Sequence, residues 1–229
     1  MTSTLIFLHG GPGFKDYLKP YFTQLEKKFN CIFYDQIRGP KVTIDAQIGE
    51  LHSLVLKSSQ QVILIGHSWG GVLATKYASE HEDKLAGLVL MSTRLNASQW
   101  RDEFRAELKN LGLEDASPEE IFLTPAELEV GKPVLDATGE SFSEETFDNI
   151  FSTYLSNYDL TKEFQNLQIP VLNIFGEKDV RFPKRVAKSL QNLKRDVTEL
   201  ELANTGHFPF LLIENREKIA ELIEKKFGD

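Results

Sequence analysis

Six short apolar runs punctuate the chain: Thr4–Leu8, Cys31–Asp35, Gln61–Ile65, Ala86–Met91, Val171–Phe175 and Val197–Leu202. Dense in Val, Ile, Leu and Phe, they read as strands buried on both faces. Between them the apolar spacing becomes helical. Leu18, Tyr21, Phe22, Leu25 and Phe29 form one such series, with Lys27 and Lys28 suited to its C-terminal end. Ile44, Ile48, Leu51 and Val55 form a second, Val72 to Ala78 lie in a third, and Ile219, Leu222, Ile223 and Phe227 make the last. Strands and helices in alternation predict the α/β class: a mostly parallel sheet of about six strands, flanked by helices.

The segment 94–166 breaks the alternation, because it holds helix starts and no strand pattern. Ser117-Pro118-Glu119-Glu120 combines an N-cap serine, a proline in the first turn and a capping-box glutamate. Thr124-Pro125-Ala126-Glu127 repeats that grammar, and Ser141-Phe142-Ser143-Glu144 is a weaker instance. The expected division is a core of 1–93 and 167–229 with a helical cap insertion, 94–166, over the C-terminal edge of the sheet. That insertion carries 16 acidic against 6 basic residues, a net of −10, whereas the remainder nets +2.

Composition narrows the class further. With 229 residues, 41% hydrophobic and 10% aromatic, the chain can bury a substantial core and is neither disordered nor fibrous. No apolar run approaches the roughly eighteen residues of a membrane-spanning helix. No basic stretch precedes the first apolar run, as a secretory signal would require. A cytoplasmic protein without membrane contact is the expectation. A net charge of −8 argues against nucleic acid as a partner. The single cysteine, Cys31, has no internal disulfide partner and is expected to be buried and inert.

The chemistry concentrates after strands. Gly66-His67-Ser68-Trp69-Gly70 follows one strand and opens a helix, so Ser68 must occupy a sharp turn that only small neighbours two places either side permit. A bare G-x-S-x-G is weak evidence, but the strand–turn–helix context strengthens it. His9-Gly10-Gly11-Pro12-Gly13 also follows a strand. A glycine-rich turn supplies fixed backbone N–H donors for a tetrahedral oxyanion, here the amides of Gly11 and Trp69. By itself such a turn is more often plain punctuation. A nucleophilic serine needs a base, and the base an orienter. His9 and His67 lie inside the motifs, and His52 and His81 fall in polar helical stretches. His207, in Thr205-Gly206-His207-Phe208-Pro209-Phe210, is left as the candidate base. Asp179, in Gly176-Glu177-Lys178-Asp179, is the candidate acid, with Glu177 competing. No cluster has metal-ligand spacing, so neither metal nor cofactor is expected.

These motifs resemble the α/β-hydrolase superfamily from about Thr4 to Phe227. HGGPG at 9–13, GHSWGG at 66–71 and Asp35-Gln36 followed by Arg38-Gly39 resemble its proline iminopeptidase branch, although Ile37 interrupts the last motif. The resemblance implies a Ser68–Asp179–His207 triad. Most relatives carry two further strands before the first glycine motif, whereas only eight residues precede His9. The strand Cys31–Asp35 is therefore expected at a sheet edge, either blunted by Pro40 and Lys41 in a monomer or paired in a homodimer. The expected activity is a serine hydrolase acting on an ester or amide of a small molecule or short peptide. An aminopeptidase and a carboxylesterase for neutral esters both remain open, and a non-catalytic ligand-binding protein is the rival from another class.

Overall fold

The computed structural model describes residues 3–194 and 196–228. The first half runs β1 (Thr4–Leu8), α1 (Lys19–Phe22), β2 (Asn30–Phe33), α2 (Ile44–Lys57), β3 (Val62–His67), α3 (Trp69–His81) and β4 (Leu85–Met91). Helices α4 (Ala97–Leu111), α5 (Pro118–Phe122), α6 (Leu128–Ser141), α7 (Glu144–Ile150) and α8 (Thr161–Asn166) follow. The chain then returns through β5 (Val171–Gly176), α9 (Lys184–Leu193), β6 (Val197–Leu202) and α10 (Ile213–Phe227). The six strands form one sheet in the order β2-β1-β3-β4-β5-β6, and every pairing is parallel.

Alternate residues of each central strand feed two apolar layers. Ile6, Leu8, Leu64, Leu88 and Leu90 pack with Leu51, Val72, Leu73, Tyr77 and Phe164 on one face. Leu5, Phe7, Ile63, Ile65, Val89 and Met91 pack with Phe22, Leu25, Ile219 and Ile223 on the other. Burying one such side chain stabilises the fold by about 1.5–3 kcal/mol. The two edge strands depart from two-sided burial. In β2 every position is at least partly exposed, and β6 is buried only at its two ends. Among the described residues β2 pairs with β1 alone, so it is an edge strand. Cys31 is accordingly half-buried, and desolvation, reinforced by Glu26, pushes its thiol up to about 12, which keeps it protonated.

Local winding differs from the apolar spacing in one place. After Phe22 the helix tightens to a 3₁₀ turn over Thr23–Lys27, while Leu18, Phe22, Leu25 and Phe29 all remain buried. The periodicity registers which side is buried and not which hydrogen-bond pattern is used.

The connection from β4 to β5 is cinched where its ends meet. Ala97 N–H donates to the Tyr158 carbonyl at 2.9 Å and Leu160 N–H to the Leu95 carbonyl at 2.7 Å. Asn96 caps α4 by accepting from Gln99 N–H, and Gly112 ends it in the left-handed region. The Ser117–Glu120 capping box forms around α5. At 124–127 the same contacts close a turn instead, and α6 begins at Leu128. The cap of α7 is Ser143. Within the expected insertion span, α8 packs on α3 and α9, and Phe164 is fully buried in the core.

Candidate active site

In a parallel sheet all strand C-termini share one edge, so the turns after β1, β3, β5 and β6 converge. Ser68 sits between β3 and α3 at φ 54° and ψ −116°, a conformation of order 1–3 kcal/mol above the ordinary wells. The turn is locked by contact. A Cβ at Gly70 would lie 2.0 Å from the Leu8 carbonyl oxygen, so only glycine lets α3 approach β1 there.

After β6, His207 is 3% exposed and places Nδ1 3.0 Å from Asp179 Oδ2. A carboxylate can only accept, so Nδ1 carries the proton and Nε2 the lone pair. Among the described residues Nε2 has no hydrogen-bond partner. Asp179 Oδ1 also accepts from Phe182 N–H at 2.9 Å, which fixes the carboxylate. Glu177 turns elsewhere and accepts from Asn204 N–H at 3.2 Å. The two carboxylates that the sequence left in competition are thereby separated, with Asp179 against the imidazole.

The glycine turn is held by a directional chain. Gly10 N–H donates to the Tyr17 hydroxyl at 2.8 Å, and that hydroxyl donates to His67 Nδ1 at 2.6 Å. His67 Nε2–H donates in turn to the His207 carbonyl at 2.8 Å. The chain needs a neutral His67, whose pKa lies well below the usual value through burial first and the neighbouring His207 second. His9 is similarly engaged: Nδ1–H donates to the Gly10 carbonyl, and Nε2 accepts from Gln36 N–H. Burial lowers its pKa to about 4. Gln36 and Gln47 both accept from Trp69 Nε1, each at 3.2 Å. Gly10 N–H is thus committed, while the amides of Gly11, at φ +138°, and Trp69 make no hydrogen bond among the described residues.

Ser68 and His207 line a cavity of about 400 Å³ together with Phe14, Phe122, Leu135, Phe142, Phe147 and Arg181. Among the described residues no aspartate or glutamate lines it. A smaller recess of about 50 Å³ adjoins it at Ser68 and Gly11, and Trp69, Arg94, Trp100 and Arg181 wall that recess. The acids of 94–166 lie mainly on the outside: Glu114, Asp115, Glu129, Glu140, Glu144 and Glu145 are exposed. Arg38 ties the glycine turn to the end of α6, donating to the Gly13 carbonyl at 3.5 Å and to the Ser141 carbonyl at 2.7 Å. Among the described residues no group of three or more His, Cys, Asp or Glu side chains could hold a metal, and no helix is long and apolar enough to cross a membrane.

Two features escape sequence reasoning. Glu127 is fully buried, and its carboxylate accepts from Thr124 and from Gly206 N–H at 2.9 Å, immediately before His207. Burial raises its pKa, against those hydrogen bonds. Phe122 accepts from His207 N–H at 2.9 Å, so the helical segment holds the histidine loop by its backbone. The 124–127 capping pattern marked Glu127, but as a helix start alone. The arginines of the recess lie far apart in sequence, and nothing local pairs them.

Comparison with known proteins agrees with this architecture. The chain is 26% identical to the proline iminopeptidase of Lactobacillus crispatus over 96% of its own length and 88% of that protein. The fold is similar to the proline iminopeptidase-related protein of Thermus thermophilus, with TM-score 0.80 and 19% identity over 98% and 89% of the two chains. It is also similar to a thermophilic esterase from Thermogutta terrifontis, with TM-score 0.72 and 20% identity over 98% and 89%. The family model described as "Alpha/beta hydrolase family" matches residues 5–222, nearly the whole described chain, and the protein belongs to that family.

Proposed function

We propose that the protein is a serine hydrolase that cleaves an ester or amide bond of a small substrate through an acyl-enzyme. The observation that carries this reading is the strained Ser68 sharing a cavity with His207, whose Nδ1–H is held by Asp179 and whose Nε2 stays unbonded. His207 Nε2 takes the Ser68 proton as Oγ bonds the substrate carbonyl carbon. The resulting oxyanion meets the amides of Gly11 and Trp69, both without another partner in the described chain. The carbon–leaving-group bond then breaks, and the leaving group receives the proton from Nε2. Water, giving its proton to the same nitrogen, attacks the acyl-enzyme and releases Ser68.

Phosphonate labelling followed by mass spectrometry tests the reading and its non-catalytic rival together. Attachment at Ser68 in the wild type is expected, and its absence would remove the proposal.

The relatives' names favour a second, finer reading, an aminopeptidase. The cavity supports it less, because an aminopeptidase holds a free amine and no carboxylate of the described residues lines this one. Comparing kcat/KM for prolyl and alanyl arylamides, their N-acetyl forms and a short-chain aryl ester decides between them. A large loss on N-acetylation establishes the aminopeptidase. Insensitivity to blocking, with the ester preferred, establishes the esterase.

A further inference from the structure

The recess beside Ser68 is unusual for its charge. Arg94 is 6% exposed, and its guanidinium carbon stands 3.7 Å from the centre of the Trp100 ring. The Arg181 guanidinium lies 4.4 Å from the same ring centre. Two guanidinium groups therefore share one indole, and among the described residues neither forms an ion pair with a carboxylate. Asp179, the carboxylate whose charge acts on Arg181, is engaged by His207 and Phe182 N–H. Arg94 Nε donates to the Tyr158 hydroxyl at 3.0 Å, and no partner in the described chain meets its remaining N–H groups.

Like charges so placed oppose one another and lose hydration, a cost ordinarily offset by a counter-charge. Arg181 shows the strain: burial, then Arg94, lowers its pKa to about 10, still fully charged at neutral pH. Stacking on Trp100 accounts for the position of the two groups, since cation–π contact is favourable at these distances. Apart from the Arg94 Nε bond to Tyr158, it leaves their N–H donors without an acceptor among the described residues, in a cavity that opens on the nucleophile.

The side of the recess is informative. The leaving group must take a proton from His207, which lines the main cavity and not the recess. The recess instead meets Ser68, Gly11 and Trp69, where the acyl carbon and its oxyanion would sit. About 50 Å³ holds a group of a few heavy atoms.

Resting on the serine-hydrolase reading, we propose that the acyl part of the substrate ends in a carboxylate, held by Arg94 and Arg181. The substrate class is then a half-ester or half-amide of a short dicarboxylic acid. Guanidinium groups suit it because their planar forks match carboxylate oxygens in pairs.

Two 4-nitrophenyl alkylphosphonates test this, identical except that one short chain ends in carboxylate and the other in methyl. Ser68 Oγ attacks phosphorus, 4-nitrophenolate leaves, and the adduct is located by mass spectrometry. The expected result is labelling of Ser68 about 10-fold or more faster by the carboxylate reagent. That ratio should fall toward one in Arg181→Gln and in Arg94→Gln, and Arg181→Lys should restore part of it. Should Arg94→Gln fail to fold, the Arg181 pair still decides. Equal or faster labelling of Ser68 by the methyl reagent overturns the proposal and leaves the serine-hydrolase reading standing. A preference unchanged in both Gln variants also overturns it. Failure of both reagents to label Ser68 removes the hydrolase reading, and this inference with it.

Discussion

The outer surface of the helical segment and the recess beneath it carry opposite charge. Outside, Glu114, Asp115, Glu129, Glu140, Glu144 and Glu145 stand in solvent. Inside, Arg94 and Arg181 line a pocket into which no carboxylate of the described residues projects. A net of −10 for 94–166 is therefore a poor guide to the potential at Ser68. Solvent-exposed charges are screened over roughly 8–10 Å at ordinary ionic strength, whereas partly desolvated ones are screened far less. Placement outweighs the sum.

The comparison breaks most simply if chemistry does not occur beside the recess. Ser68→Ala should lower kcat by about 10⁴–10⁶ with an unchanged circular dichroism spectrum. Retention of more than a few per cent of turnover would move the nucleophile elsewhere. Next in size is the contrast between two acids on one loop. Asp179→Asn should lower kcat by about 10⁴, because the imidazole loses its orienting acceptor. Glu177→Gln, facing Asn204, should change it by less than about 3-fold, as surface substitutions usually do. A reversed ranking in steady-state kinetics would reassign the acid.

Protonation sharpens the contrast at the next scale. Burial lowers the His9 pKa from 6.5 to about 4 in the folded chain, so between those values the unfolded chain binds more protons. The stability that depends on neutral His9 is full above 6.5 and is lost as pH falls toward 4, up to about 3 kcal/mol. Urea midpoints measured from pH 7.5 to 4 should fall, with a shallower slope in His9→Asn. A flat profile would show that the buried imidazole is not held neutral. The smallest effect belongs to the outside. Neutralising Glu144 and Glu145 together should alter kcat/KM by less than about 2-fold for charged and uncharged substrates alike. A strong, salt-sensitive change would return control to the acidic surface.

Much of the framework was legible because strands buried on both faces leave continuous apolar runs. Thr4–Leu8 and Val197–Leu202 have the expected limits, and the helical spacing at Ile44–Val55 marks a helix of Ile44–Lys57. Glycine punctuation after β1 and β3 marked the turns that meet at the site, because backbone in those conformations excludes most side chains. Two-sided burial failed at β2 and β6, since an edge position depends on sheet order, which no local run encodes. Glu127 was visible as a capping carboxylate, but its bond to Gly206 joins residues 79 apart in sequence. Arg94 and Arg181 come together over Trp100, a tertiary contact invisible to any charge count.

The chain from Gly10 through Tyr17 and His67 to the His207 carbonyl has a consequence for how this sequence can drift. Every link has one donor and one acceptor, and all members are buried. Tyr17→Phe would strip a partner from an amide and an imidazole at once, while replacing His67 alone would strand the Tyr17 hydroxyl and the carbonyl. A joint exchange for two apolar side chains gives no escape, because the Gly10 amide and the His207 carbonyl then both lose their partners. Positions 17 and 67, fifty residues apart, should therefore both stay fixed across descendants of this sequence unless the new side chains again link the Gly10 amide to the His207 carbonyl.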